Sequence, residues 1–318
     1  MSKTTRTTTR LRCECLEARD VPATLYATTA NELIACIAQA NVSYQADTLV
    51  LTSGAVYSLT TADNTTFGAT GLPVVAAAGG PLTIVGNGAT IERSVVAGTP
   101  SFRLLAVETG AALTAENLTL QGGRAYGAYG WGVAAQGGAI RTDGTLNLSA
   151  VIVRNNEAVG GAGRNGGAGH LGAYSGQNGG DGLGGGIYVG GGTANLTGVT
   201  LTGNAARGGT GGNGIKIKSP GRGLPAVGLA GNGGDGLGGG VYAAGGVTTL
   251  YGTSVTGNTA IGGAGGAKNG APSNGVAGQG KGGGAYVEAD ATFTPDAFSF
   301  VTGNTASTSG TDPNIYRG

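Results

Sequence analysis

The sequence returns four times to one pattern: two glycines, an apolar residue, alternating apolar and polar positions, and a closing asparagine. It reads GGAIRTDGTLNLSAVIVRNN from Gly137 to Asn156 and GGIYVGGGTANLTGVTLTGN from Gly185 to Asn204. The next copies are GGVYAAGGVTTLYGTSVTGN, Gly239 to Asn258, and GGAYVEADATFTPDAFSFVTGN, Gly283 to Asn304. The closing asparagines are 48, 54 and 46 positions apart, so each unit travels with a tract of variable length. A unit this short buries its apolar side chains only against copies of itself, which is the physics of a solenoid. Strands of a few residues between tight corners point to an all-β fold, a single-stranded parallel β-helix. Its coiling is expected to be right-handed, the default for parallel crossovers.

Composition agrees with a narrow core. The chain is 40% hydrophobic but only 5% aromatic, and glycine supplies 69 of its 318 residues. No Gly-X-Y period accompanies the glycine, which excludes collagen. With a net charge of +1 and 11% charged residues there is no basic field for nucleic acid. No apolar run reaches the roughly 18 residues of a membrane-spanning helix. The three cysteines, Cys13, Cys15 and Cys36, precede the repeats, so none can staple them.

Residues 1–23 are Thr-rich and basic, and the charged stretch from Cys13 to Asp20 stands where a signal peptide would place its apolar segment. A disordered leader or sorting segment is expected here. Residues 24–46 read as a strand followed by a helix, with Leu33, Ile34, Ile37 and Ala38 on one face and Thr29 or Asn31 as N-cap. Such a helix is suited to cap the first rung and cover its sheet edges. From residue 47 to residue 318 the strand pattern holds, interrupted by glycine-rich tracts near 159–184, 207–238 and 261–282. With few side chains to bury and much entropy to lose on ordering, the tracts are not expected to form core. All three should leave one edge of the solenoid, as binding face, spacer or mobile linker. Gln121–Gln136, with Tyr126, Tyr129 and Trp131, occupies the equivalent place one unit earlier.

Two resemblances attach to these motifs. The GGAI at Gly137–Ile140 and the apolar-x-x-Asn at Val153–Asn156, kept as Leu201–Asn204, Val255–Asn258 and Val301–Asn304, resemble the repeat of chlamydial polymorphic outer-membrane proteins. Val or Leu replaces the Phe of that repeat, so the likeness is to the broader group of right-handed β-helix repeat proteins. Leu16, Glu17, Arg19, Val21, Pro22 and Ala23 resemble the short N-terminal segment of planctomycetal extracellular repeat proteins. Together these imply a non-enzymatic extracellular or cell-surface solenoid, acting as adhesin, spacer or envelope component, with surface glycans or other surface proteins as partners. An autotransporter of the resembling group continues into a membrane barrel, whereas this sequence ends at Gly318, so export by that route is not expected.

Polysaccharide hydrolases and lyases share the β-helix, so an enzyme of that kind is the alternative. Hydrolysis needs two converging carboxylates, and residues 139–282 carry only Asp143, Glu157, Asp181 and Asp235. The last two recur in the same Asn-Gly-Gly-Asp-Gly string, which fits a turn, since Asn, Asp and Gly all tolerate positive φ. One acid per unit falls short of the roughly six to eight oxygens that calcium takes, so no cofactor or metal is expected. His170, the one histidine, stands in a glycine tract as a solvated loop residue. Gly275–Gly282 falls one residue short of a phosphate-binding loop, lacking the Ser or Thr that holds magnesium. The candidate positions are therefore the repeated ones. Asn156, Asn204, Asn258 and Asn304 should satisfy corner backbone groups. Tyr188, Tyr242 and Tyr286 should point away from the core as an aromatic ladder or a ligand-facing platform.

Overall fold

A computed structural model describes residues 22–169, 172–218 and 225–318. Residues 1–21 of the leader, with Cys13 and Cys15, and His170 lie outside this set. The chain is a parallel β-solenoid. One wall stacks Ala112–Gln121, Thr145–Ser149, Thr193–Thr197, Val247–Tyr251 and Thr292–Pro295, all in parallel register. The second half of Ala112–Gln121 turns a corner and stacks between Leu82–Arg93 and the series Ile152–Arg154, Thr200–Thr202, Ser254–Thr256 and Phe300–Thr302. A third wall runs from Leu105–Val107 through Ile140–Thr142, Ile187–Val189, Val241–Ala243 and Ala285–Val287 to Ile315–Arg317.

The period-two alternation of each strand decides which side chains face in. Leu148, Leu196 and Leu250 stack in register on one wall, Val153, Leu201 and Val255 on the next, and Ile140, Ile187, Val241 and Ala285 on the third; all are buried. Like over like in one column gives a continuous core one side chain thick on each wall. The corner before each closing asparagine needs a left-handed residue, supplied by Asn155 (φ 55°) and then by Gly203, Gly257 and Gly303, each at φ 65°. This is why the later copies end in Thr-Gly-Asn.

The helix Ala30–Ala40 starts at Thr29, whose hydroxyl accepts from the Glu32 amide while the Glu32 carboxylate accepts from the Thr29 amide. Its buried face is Leu33, Ile37 and Ala40. Ala38, expected on that face, is exposed, and Ala40 takes its place against the strands. Among the described residues no helix is long and apolar enough to cross a membrane.

Candidate binding surface

Asn156, Asn204, Asn258 and Asn304 form a buried ladder along the corner. Each donates its amide nitrogen to the side-chain oxygen of the next, at 3.0, 2.9 and 3.0 Å, and Asn304 donates to Asn314 at 3.2 Å. That same oxygen accepts the backbone amide of the preceding asparagine. The side-chain nitrogen also reaches a corner carbonyl, Val153 from Asn204 and Leu201 from Asn258. Here the asparagines supply donors and acceptors that the bending backbone cannot supply for itself.

The tyrosine row points away from the main core but not into water. Tyr188, Tyr242 and Tyr286 are at most 9% exposed, packed with Leu183 and Leu237 where the chain returns from the tracts. Their rings stack at centroid distances of 5.4, 5.4 and 5.3 Å, and the fourth ring is Tyr316, which the repeat did not flag because its strand lacks the Gly-Gly opening. Each inner ring is covered by its neighbours, so the three repeated tyrosines form the aromatic ladder rather than a ligand-facing platform. Tyr242 donates to Glu288, and burial together with this bond raises its hydroxyl pKa.

The described residues of the glycine tracts depart from the expectation that they form no core: their backbones make a second packed body. Each tract leaves the solenoid as one extended arm and returns as another, with antiparallel pairs at two of the tips, Gly167–Gly169 with Gly172–Tyr174 and Ile215–Lys218 with Pro225–Gly228. In the return arm Gly231–Gly236 each of six successive amides has a partner at 2.7–2.9 Å. Gly231 and Gly234 donate to Gly212 and Gly209 in the outgoing arm, while Gly233 and Gly236 donate to Val276 and Gln279 in the next tract. The remaining two, Asn232 and Asp235, donate to the side-chain oxygens of Asn178 and Asp181 one tract earlier. The period of three is that of a polyproline II helix, which has no internal hydrogen bonds and leaves every amide free for a neighbouring arm. Neighbouring arms approach so closely that glycine is required: a Cβ on Gly209 would fall on the carbonyl oxygens of Gly160 and Gly161. Ordering glycine costs backbone entropy, and the hydrogen bonds between these arms offset it.

The four acids weighed for catalysis are all engaged. Asp143 meets Arg141 at 2.7 Å, and Glu157 bridges Arg124 at 3.0 Å and Arg207 at 2.7 Å on adjacent rungs. Asp181 and Asp235 accept the amides of Asp235 and Gln279 at 2.7 and 2.6 Å. Among the described residues no three His, Cys, Asp or Glu side chains are grouped to hold a metal. Burial holds the Asp181 carboxyl above the usual aspartate range, opposed by the hydrogen bond from the Asp235 amide and helped in smaller measure by the Asp235 charge. A raised acid pKa means that the folded state binds the proton more tightly, so this group costs stability as pH rises through the folded pKa. Asp181→Asn keeps the accepting oxygen without the charge. It is expected to raise the melting temperature at pH 7, a gain that fades below about pH 4; a gain independent of pH would refute the assignment.

What the arms present to water is aromatic. Tyr126, Tyr129 and Trp131 are 52, 63 and 80% exposed on the first, short excursion, and Tyr174 is 42% exposed on the first long tract. Tyr129, Gly130, Trp131, Tyr174, Ser175, Gln177 and Arg164 border a cleft of about 300 Å³, and the Arg164 guanidinium lies 4.9 Å from the centre of the Tyr174 ring. Exposed rings beside amide, hydroxyl and guanidinium groups can pack the apolar face of a ring-shaped ligand while bonding its hydroxyls. Comparison with family models, with curated proteins and with solved structures gave no match, so the residues and their geometry carry the functional reading.

Proposed function

We propose that this chain is a non-enzymatic β-solenoid displayed outside the cell, an adhesin, spacer or envelope component that binds glycans through the aromatic edge of its glycine-arm bundle. The observation that carries the reading is the group Tyr129, Trp131 and Tyr174, exposed to water on arms whose backbone is held by hydrogen bonds from tract to tract. Large aromatic rings left in water together mark a contact surface, and arms that are already ordered lose little further entropy on binding. The likeness of Leu16–Ala23 to planctomycetal extracellular segments supports the location, which cell fractionation checks. Right-handed coiling belongs to the same reading. So does a capping role for Ala30–Ala40, since Leu33 and Ile37 join one apolar cluster with Leu49 and Leu51.

A glycan array probed with the full chain tests the function. Retention is expected, and Trp131→Ala should abolish it while changing stability by no more than about 0.5 kcal/mol, as for other exposed positions. Release of reducing ends or unsaturated products that stops on mutating Asp143, Asp181 or Asp235 would replace this reading with an enzymatic one.

A further inference from the structure

The third wall breaks its own pattern at one position. Below it the column runs Tyr188, Tyr242, Tyr286 and Tyr316, but the rung above Tyr188 carries Arg141. The Arg141 guanidinium stands at the head of the aromatic stack, 4.2 Å from the centre of the Phe67 ring and 5.9 Å from that of Tyr188. Asp143 holds its Nη2 at 2.7 Å, but Nε and Nη1 are shut off from bulk water with no acceptor in the protein.

Arg141 borders a cleft of about 550 Å³ between the turn Phe67–Ala69 and the excursion Ala125–Gln136. Arg103 borders it too, only 3% exposed, with its guanidinium bonded to the carbonyls of Phe67, Gln136 and Gly137 and the hydroxyl of Thr70. None of those partners is charged. The cleft lining therefore brings two guanidiniums together without a carboxylate, Asp143 balances one of them, and the remaining lining is largely Phe67, Tyr126, Val133 and alanines. Burial first, and Arg141 second, lower the Arg103 pKa to about 10, as expected for two like charges sharing one site. With Asp143 as the one carboxylate beside them, the two guanidiniums leave one positive charge unbalanced above apolar walls, which suits a carboxylate carried on a compact, partly apolar body. The excursion that forms one side of this cleft also carries Tyr129 and Trp131 at the neighbouring one.

We propose that the Arg103–Arg141 cleft is a carboxylate subsite, so that the glycan held at Trp131 is one with acidic sugar residues. This rests on the glycan-binding reading. The test titrates the full chain, in low salt, with methyl glucuronoside and with the neutral methyl glucoside. The acid is expected to bind at least about tenfold more tightly, and Arg141→Gln should remove that preference, about 1.4 kcal/mol. Because Arg141→Gln could disturb the aromatic stack, a second variant keeps both arginines. Ala134→Glu, at an exposed position on the cleft rim, places a competing carboxylate beside them and should abolish acid binding with the melting temperature unchanged. Equal affinity for the two glycosides, or acid binding indifferent to both variants, would overturn the proposal. So would a short peptide with a free C-terminal carboxylate that bound as tightly as the glucuronoside. On the array, retention of neutral glycans alone through Trp131 leaves the function standing and removes this subsite, whereas no retention of any glycan removes both.

Discussion

Replacing Gly209 with alanine is expected to open the glycine-arm bundle and lower stability by about 3 kcal/mol, the upper end of overpacking costs. The added methyl would meet the backbone carbonyls of Gly160 and Gly161, which cannot rotate aside as a side chain would. Moving the arm breaks two bonds in series, from the Gly209 amide to the Gly180 carbonyl and from the Gly234 amide to the Gly209 carbonyl, at 2.8 and 2.9 Å. Thr210, the next residue, faces solvent, and Thr210→Ala should shift stability by no more than about 0.5 kcal/mol. Thermal melts compare the pair, and hydrogen exchange at the Gly234 amide reports where the arm opens. If both variants melted alike, the close packing of the arms would be refuted.

Asn204→Ala should cost about 3–4 kcal/mol, because it strands several buried groups at once. The Val153 carbonyl and the Asn258 side-chain oxygen lose a donor, and the backbone and side-chain amides of Asn156 lose their shared acceptor. Each buried polar group left unmatched costs about 1–3 kcal/mol, and Asn156 keeps other partners for its side chain, which limits the sum. Asn204→Asp is a sharper probe. It retains the acceptor but turns an oxygen toward the Val153 carbonyl and the Asn258 oxygen, so burial and these neighbours raise its pKa. Protonation restores a donor, and the deficit should shrink as pH falls. Because a solenoid opens rung by rung, residue-resolved exchange should localise the loss to the rungs of Asn156, Asn204 and Asn258. Uniform loss across the chain would argue against a local ladder.

How far the sequence could be read follows from which interactions each residue makes. The strands and corners were legible because period-two alternation and Thr-Gly-Asn endings are local consequences of burial and of a left-handed corner. The asparagine ladder was legible in outline, since four copies of one residue at one corner predict one role. The buried tyrosine row was only half legible. Alternation turned Tyr188, Tyr242 and Tyr286 away from the main core, but whether anything covers them depends on the tracts returning over them through Leu183 and Leu237. Tyr316 closes the stack from a strand without the repeat signature, and Arg141 opens it from a unit that has the signature but not the tyrosine.

The sequence alone determined that this chain stacks, where its corners fall and which side chains fill the main core, because those follow from the alternation of neighbouring residues. Tertiary structure alone decided that the glycine tracts are a packed body, since Gly180, Gly209 and Gly234 come from different arms and meet only when the solenoid sets their spacing. It likewise brought Arg103 and Arg141 together at one cleft and left Tyr129 and Trp131 facing water beside it. Glycine carries no side chain from which such partners could be read: its bonds are made by backbone, and backbone is the same at every position.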